Sequence, residues 1–233
     1  MQQWLVIGAN SALAQAVLSR VKAAGHDYRG LSRNPPDDPN LARWQADETS
    51  LQAACAQWQA EGYQPTHVLI CLGQLHNAEL QPEKRLEDLH ASALESLLYS
   101  NAALPALCLK HLLPLLKRSA AQVAICSARV GSIGDNHLGG WYAYRASKAA
   151  LNMLVQTAAV EYARRAPDVR LMLFHPGTMD SPLSKPFQAN VPAGKLFSAE
   201  FVADCLAQRY NELAQHEAGQ AWFVDWQGQT VPW

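Results

Sequence analysis

The fold is decided by residues 4–14, which read WLVIGANSALA. Four apolar residues that can form a buried strand, Trp4–Ile7, run into Gly8, and small residues then lead into the helical pattern Leu13–Ala24. A strand that turns through glycine into a helix is typical of a βαβ unit, and the amides at the start of such a helix attract phosphate. The same turn also suits a helix that only packs on a sheet, and both interpretations remain open here.

The alternation of short apolar runs and longer helical patterns continues along the chain. The predicted strands are Trp4–Ile7, Asp27–Leu31, Ala42–Gln45, His67–Leu72, Gln122–Cys126, Val169–Phe174 and Ala221–Val224. The predicted helices are Leu13–Ala24, Leu51–Glu61, Leu86–Lys117, Tyr142–Arg165 and Ala199–Leu213. The pattern predicts an α/β fold: a doubly wound, Rossmann-like parallel sheet of about seven strands with helices on both faces. Nothing marks a boundary, so we expect a single domain over residues 1–233.

The composition excludes several classes of protein. Hydrophobic residues make up 49% of the chain, and 19 basic residues balance 20 acidic ones. A disordered chain and a nucleic-acid or anionic-membrane surface are therefore not expected. The five cysteines lack the spacing of a disulfide framework or a zinc site. With no signal-peptide pattern and no run of ~20 apolar residues, we expect a cytoplasmic protein with reduced thiols and no metal.

The end of the second predicted strand carries a basic residue instead of an acidic one. Domains that bind NAD commonly place Asp or Glu there for the ribose hydroxyls, but this chain has Ser32 and Arg33. A guanidinium can pair with a 2′-phosphate, which favours NADP(H) over NAD(H); an exposed loop arginine is the alternative. Asp47 could accept a hydrogen bond from an adenine amino group or could cap the following helix.

A tyrosine and a lysine lie four residues apart in the predicted helix Tyr142–Arg165. Tyr144 is the only tyrosine of the chain with a lysine at this spacing, Lys148, so the two share one helix face. An ammonium beside a phenol should lower its pKa and make it a general acid or base near neutral pH. A strand that ends in Ser127 and a glycine-rich loop precede this helix.

With these motifs together, the chain resembles the short-chain dehydrogenase/reductase family from the first strand to the last. The signature Tyr-x-x-x-Lys is present at 144–148, and Ser127 and Asn101 match the family's strand serine and helix asparagine. The Pro-Gly segment at 176–181 also matches. Within the family, the C-factor-like (sniffer-like) branch is the one that this chain resembles most, on the amino-acid sequences of residues 131–136, 141–152, 183–188 and 225–228.

The resemblance implies hydride transfer between NADP(H) and a carbonyl/alcohol pair, in a homodimer or homotetramer. It implies that Tyr144 donates the proton, that Lys148 tunes Tyr144 and holds the ribose, that Ser127 bonds the substrate oxygen and that Asn101 holds a water linked to Lys148. The implied cofactor-binding residues are Gly8, Asn10, Ser11, Ala12, Leu13, Ser32, Arg33, Asp47, Gly73, Lys148, Pro176, Gly177, Thr178 and Ser181. Residues 182–198 would form a lid over a small hydrophobic carbonyl substrate.

Three departures from the family pattern leave alternatives open. Ala12 replaces a glycine near the pyrophosphate, and Ile70-Cys71-Leu72-Gly73 replaces the family's Asn-Asn-Ala-Gly. The gap between Ser127 and Tyr144 is also long, which makes Ser132 a second candidate for the active serine. The weakened glycine motif motivates an alternative function, a dinucleotide-sensing or cell-signalling protein with little turnover.

Overall fold

The molecule is built on a seven-stranded parallel sheet, and the computed structural model describes residues 1–233. The strands of this sheet are β1 (Gln3–Ile7), β2 (Asp27–Ser32), β3 (Leu41–Arg43), β4 (His67–Ile70), β5 (Gln122–Cys126), β6 (Arg170–His175) and, last in the chain, β9 (Trp222–Asp225). Their spatial order is β3-β2-β1-β4-β5-β6-β9. The strand order reverses between β1 and β4, and a doubly wound sheet opens a binding crevice at the carboxyl ends of such a pair.

The chain has six α-helices, and five of them cover the two faces of the sheet, whereas the third packs on the fifth. They are α1 (Ala12–Ala23), α2 (Glu48–Ala60), α3 (Ala91–Leu98), α4 (Leu104–Leu116), α5 (Tyr142–Arg165) and α6 (Ala199–Leu213). Helices α1 and α6 pack on one face, and α2, α4 and α5 pack on the other. The predicted fold class, a doubly wound parallel sheet with helices on both faces, is confirmed. None of these helices combines the length and the apolar character that crossing a membrane requires.

The two apolar layers follow from the alternation of side chains along each strand. In β1, Trp4 and Val6 join the layer under α1 and α6, whereas Leu5 and Ile7 join the layer under α2, α4 and α5. Successive side chains of a strand point to opposite faces, so a strand covered on both sides must be apolar at every position. Burial of each such side chain is worth about 1.5–3 kcal/mol, and this rigid core fixes the strand ends.

The predicted continuous helix Leu86–Lys117 is wrong. Residues Leu86–Asp88 form a separate 3₁₀ turn, and α3 is joined to α4 through a π turn at Tyr99–Ala103. Pro105 has no amide hydrogen to donate to the carbonyl four residues earlier. The backbone widens before it, and the Leu104 amide bonds the carbonyl of Tyr99 instead. A helical pattern in the sequence does not distinguish a π turn from an α turn.

Other boundaries move by a few residues. The third strand is Leu41–Arg43 instead of 42–45, and the fourth strand ends at Ile70. Helix α2 begins at Glu48 because the Asp47 carboxylate accepts a hydrogen bond from the Ser50 amide at 2.8 Å. The predicted loop 176–198 contains a small second sheet of β7 (Thr178–Met179) and β8 (Leu196–Phe197), as well as a 3₁₀ segment, Lys185–Asn190.

Candidate active site

A cavity of about 490 Å³ lies at the carboxyl ends of β1 and β4. Its wall includes most of the residues that the sequence predicts for a cofactor or for catalysis: Gly8, Asn10, Ser11, Ala12, Leu13, Ser32, Arg33, Gly73, Ser127, Tyr144, Lys148, Pro176, Gly177 and Ser181. Asn101, Asp47 and Thr178 are not part of this wall. The sheet therefore gathers residues that are distant in the chain around one crevice.

The turn after β1 presents free backbone amides to the cavity. Gly8 has φ +84°, and a side chain there would collide with the carbonyl of Cys71, so the position needs glycine. Ser11 caps α1 by accepting a hydrogen bond from the Ala14 amide at 3.2 Å. The amides of Ala12 and Leu13 have no partner in the turn, and together with the helix dipole they suit a phosphate group.

An unpaired guanidinium lies at the end of β2. Arg33 is exposed, lines the cavity and takes part in no ion pair of the protein. Asp47, the other residue predicted for this end, instead caps α2 outside the cavity wall. The structure thus places Asp47 in the capping position that the sequence left open, and it leaves Arg33 free to meet an anion.

Tyr144 and Lys148 share one face of α5 and border the cavity. Both side chains are buried, and the Lys148 Nζ lies 5.9 Å from the centre of the Tyr144 ring. The ammonium donates a hydrogen bond to the carbonyl of Cys126 at 3.1 Å, not to the phenol. Gly73 lies directly beside this Nζ, where even a methyl group would be in tight contact with it at 3.3 Å.

The expected lowering of the Tyr144 pKa is corrected by the structure. Burial raises the pKa of Tyr144 well above its ordinary value, and the sulfur of Cys126 adds to this effect. Burial also lowers the pKa of Lys148 to about 8. The ammonium is too far from the phenol to outweigh desolvation. Tyr144 is therefore a protonated phenol at neutral pH, which is the form that can donate a proton.

Of the two candidate serines, the structure places Ser127 at the cavity and Ser132 away from it. The Ser127 hydroxyl donates a hydrogen bond of 2.6 Å to Oδ1 of Asn152, and both residues are buried. Ser132 instead accepts a hydrogen bond from the Asp135 amide inside the following loop. The longer loop is accommodated by a 3₁₀ turn at Arg129–Gly131, which packs against α5.

Asn152 is a functional candidate that the sequence analysis missed. It follows Lys148 by one helical turn, and its Nδ2 donates to the Gly131 carbonyl at 3.4 Å. Its amide therefore connects Ser127 to the loop and fixes the direction of the serine hydroxyl. The i+4 spacing from Lys148 could have indicated that it lies on the same helix face.

We expect Asn152→Ala to lower the turnover number about tenfold, equivalent to about 1.4 kcal/mol of lost orientation, without changing the dissociation constant of NADPH. The reason is that Ser127 loses the acceptor that fixes its hydroxyl. Steady-state kinetics and a fluorescence titration of NADPH measure the two quantities. Arg164→Ala, a change at an exposed residue of the same helix, is the control. An unchanged turnover number for Asn152→Ala would contradict a positioning role.

Asn101 lies fully buried in the π turn behind the cavity wall. Its Nδ2 donates to the Gln74 carbonyl at 2.8 Å and to Ser147 Oγ at 3.0 Å, and its Oδ1 accepts from the Gln74 amide at 2.6 Å. The side chain thus connects the segment after Gly73 to the Tyr-x-x-x-Lys signature. Its role in holding a water linked to Lys148 stays a prediction.

The entrance to α5 is held by a buried carboxylate from another loop. Glu83 accepts a hydrogen bond from the Ala143 amide through its side chain at 3.3 Å and from the Trp141 amide through its carbonyl at 2.6 Å. Trp141 has φ +54°, so the chain enters the helix through a left-handed residue. Glu83 therefore satisfies amides at the start of the helix that carries Tyr144. No sequence motif marked this contact between distant loops.

Aromatic side chains pack beside Tyr144 without lining the cavity themselves. The ring centre of Trp141 is 6.1 Å from that of Tyr144 and 5.1 Å from that of Phe187, which belongs to the predicted lid. His76, which the sequence analysis did not single out, contacts the carbonyl of Leu183 through Nε2 at 3.1 Å and packs on Phe187. These contacts keep the predicted lid against the cavity.

The end of the cavity near β6 is mostly neutral. His175 lines it, and burial lowers the pKa of this imidazole to about 4, so it is uncharged at neutral pH. Pro176, Gly177 and Ser181 are also part of the wall, but Thr178 lies in β7, paired with Leu196 of β8. The predicted role of Thr178 in holding a cofactor stays a prediction.

Two curated proteins show sequence similarity to parts of this chain. C-signal of Myxococcus xanthus is 34% identical over 134 residues, which cover 57% of this chain and 74% of that protein. The 1-hydroxy-2-glutathionyl-2-methyl-3-butene dehydrogenase of Rhodococcus sp. (strain AD45) is 43% identical over 74 residues. This second match spans 32% of the chain and only 31% of the length of the dehydrogenase.

Solved structures share the fold at low sequence identity. A short-chain dehydrogenase/reductase of Burkholderia multivorans with bound NADP superposes with a TM-score of 0.82 at 20% identity, covering 100% of this chain and 99% of that one. Carbonyl reductase Sniffer of D. melanogaster superposes with a TM-score of 0.81 at 18% identity, covering both chains completely (100% each).

The sequence model of the short chain dehydrogenase family matches residues 3–192, from the first strand through the segment that follows β7. The similarity to C-signal agrees with the C-factor-like (sniffer-like) branch that the motifs indicate. The chain therefore belongs to the short-chain dehydrogenase/reductase family.

Proposed function

We propose that this protein transfers a hydride between NADP(H) and a carbonyl/alcohol pair, with Tyr144 as the general acid and base. The observation that carries the proposal is one cavity that Tyr144, Lys148 and Ser127 share with the free amides of α1. A structure of the same fold from Burkholderia multivorans has NADP bound, which supports this choice of cofactor.

The residues of the cavity fit a dinucleotide. A side chain at Gly8 would collide with the carbonyl of Cys71, and a side chain at Gly73 would be in tight contact with Lys148. Glycine at both positions therefore leaves room for a ligand in the cavity. The amides of Ala12 and Leu13 would hold the pyrophosphate, and Arg33 would hold a 2′-phosphate. Ala12 is itself the first residue of α1 and lines the cavity.

The cofactor, when bound, supplies or accepts the hydride. Tyr144 would donate its proton to the carbonyl oxygen as negative charge develops there. Ser127, held beside the cavity by Asn152, would turn its one hydroxyl hydrogen from Asn152 to that oxygen when the substrate binds. Because burial keeps the phenol protonated, the chain is suited to carbonyl reduction at neutral pH. Lys148 adds positive charge near the reacting oxygen and, beside Gly73, would bind the ribose.

The wall next to Tyr144 suits an apolar substrate. Trp141 and Phe187 pack together there, and Leu183 lines the cavity. These side chains offer no charged partner, which favours a small or medium hydrophobic aldehyde, ketone or quinone. Oxidation of NADPH, followed by absorbance with a panel of such compounds, is the experiment that tests the proposed activity.

A second candidate function is dinucleotide sensing or cell signalling with little turnover. The replacement of a family glycine by Ala12 and the similarity to C-signal favour it. The same panel separates the two functions. Tight binding of NADPH with no turnover that depends on Tyr144, on any substrate of the panel, would favour the sensor.

We expect Arg33→Ala to weaken NADPH binding roughly tenfold to a hundredfold and to leave NADH binding unchanged, because only NADPH carries the 2′-phosphate that a guanidinium can bind. Titration of the protein with each cofactor by fluorescence measures this difference. Arg118→Ala, a change at an exposed arginine in the loop between α4 and β5, is the matched control. Equal affinities of the wild type for NADPH and NADH would refute the role of Arg33.

We also propose that the protein is cytoplasmic and that it forms a homodimer or homotetramer. Exposed apolar side chains on α5, Met153, Leu154 and Val160, offer a surface for a second subunit. A monomer in light scattering at micromolar concentration would contradict the assembly.

A further inference from the structure

Two cysteine thiols meet at the floor of the cavity. Cys71 directly follows β4, Cys126 ends β5, and their Sγ atoms lie 3.3 Å apart. Ile70 and Ile125, the residues just before them, are paired across the two parallel strands, so the cysteines occupy the next facing positions. We propose that Cys71 and Cys126 form a redox-active dithiol, a modification site that peroxide converts into an intramolecular disulfide.

The sheet orients both thiols in the same direction. Two residues earlier on each strand, Leu69 and Ala124 belong to the apolar layer under α1 and α6, and both cysteines pack against that same layer. Neighbouring strands are ~4.8 Å apart, within the ~4.4–6.8 Å between Cα atoms that a disulfide needs. The sulfur atoms must approach by only about 1 Å to reach the ~2.05 Å of an S–S bond.

Of the five cysteines, only these two can be reached from the cavity. Cys71 and Cys126 are half-buried and line the cavity. The other three cysteines, Cys55, Cys108 and Cys205, are buried and are not part of the cavity wall. Burial also raises the pKa of Cys55 to about 12, which keeps that thiol protonated and unreactive. A small oxidant that enters the cavity therefore meets only this pair.

The surroundings make the two sulfurs unequal. The hydrogen bond between the two sulfurs lowers the pKa of Cys126 against the opposing effect of burial. The ammonium of Lys148, which donates a hydrogen bond to the carbonyl of Cys126 at 3.1 Å, lowers it further. The hydrogen bond between the sulfurs and burial raise the pKa of Cys71. The thiolate is the nucleophile in thiol chemistry, so Cys126 is the attacking sulfur and Cys71 the resolving one.

The reaction balances with peroxide as the only oxidant. The Cys126 thiolate attacks one oxygen of hydrogen peroxide, the O–O bond breaks, and a sulfenic acid and hydroxide form. The sulfur of Cys71 then attacks the Cys126 sulfur, and the S–O bond breaks as the S–S bond forms. The Cys71 proton leaves with the departing hydroxyl as water. In total, two thiols and one peroxide give one disulfide and two waters.

A nucleotide in the cavity should shield the pair. This consequence rests on the proposed function, because it requires the dinucleotide to lie over the strand ends where the thiols are exposed. The free form would then be open to oxidation, whereas the form saturated with cofactor would be protected. Cofactor occupancy and oxidation state would be connected through this one site.

The test is to treat the reduced protein with hydrogen peroxide, alkylate the remaining thiols and map the peptides by mass spectrometry. We expect a peptide pair that joins Cys71 to Cys126, lighter by two hydrogen atoms and restored by dithiothreitol. Cys126→Ala should lose this cross-link completely, and Cys205→Ala should keep it. Full alkylation of both thiols after peroxide, or cross-links spread over all five cysteines, would overturn the proposal.

A second arm repeats the treatment with saturating NADPH, where we expect the cross-link to form at least tenfold more slowly. If the cross-link forms equally fast, the dithiol stands and the proposed place of the cofactor fails. If no cross-link forms while an NADPH titration still saturates, the dithiol fails and the cofactor site stands.

Discussion

Replacement of Tyr144 by phenylalanine should reduce the turnover number for carbonyl reduction by about 10³-fold, within the range that general acid catalysis contributes. The change removes only the hydroxyl, and the hydrogen bond from the Ser147 hydroxyl to this residue is kept, because the backbone carbonyl of Tyr144 accepts it. NADPH oxidation with the best substrate of the panel measures the effect. Urea unfolding should show a free energy of unfolding within about 1 kcal/mol of the wild type.

The matched control is Tyr142→Phe, two residues earlier on α5. Tyr142 is the first residue of α5 and is not part of the cavity wall. The turnover number of the Tyr142→Phe variant should therefore stay within twofold of the wild type. The dissociation constant of NADPH should be unchanged in both variants, because neither hydroxyl is needed to hold the nucleotide. Full activity of Tyr144→Phe would remove the proton donor from the proposed function and would leave the cofactor site untouched.

The fold could be predicted because its signal repeats along the chain. Each strand covered on two faces must be apolar at successive positions, as Trp4–Ile7 shows, and each helix shows its own period. The starts of elements were harder to predict. Helix α2 begins earlier than predicted because a single hydrogen bond to the Asp47 side chain caps it. Part of the predicted helix Leu86–Lys117 is a π turn because Pro105 lacks an amide hydrogen.

The candidate site was predictable where chemistry and spacing coincide within one element. Tyr144 and Lys148 are four apart on one helix, and Arg33 directly follows a strand. Contacts between distant segments could not be read from the chain. The acceptor of the Ser127 hydroxyl, Asn152, became evident only once the loop between them was folded. The pairing of Cys71 with Cys126 likewise depends on strand order, which places β4 beside β5.

The electrostatic expectation for Tyr144 failed for a related reason. In a sequence, a lysine at i+4 suggests an ammonium beside a phenol, but the folded chain directs Lys148 to the carbonyl of Cys126 instead. Burial then dominates both groups and shifts their pKa values in opposite directions. The degree of burial depends on the packing of α5 against the sheet and is not a local property of the five-residue signature.

Replacement of Lys148 by methionine should change how stability depends on pH. The pKa of Lys148 is about 8 in the folded protein, compared with 10.5 for an ordinary lysine. Below pH ~8 the ammonium is protonated in both states, and burying it destabilises the folded state by about 3 kcal/mol. Between these pKa values the unfolded chain binds more protons than the folded one, so the stability contributed by this group rises with pH.

The measurement is the free energy of unfolding of wild type and Lys148→Met in urea at intervals from about pH 7 to pH 10. We expect the wild type to gain about 2–3 kcal/mol relative to the variant over this range. Lys117→Met, a change at an exposed lysine, should leave the pH dependence as it is in the wild type. Parallel curves for wild type and Lys148→Met would mean that Lys148 is solvated in the folded protein. The desolvated ammonium at the cavity would then have to be abandoned, whereas the positive charge that the proton step and the Cys126 thiolate both use would remain.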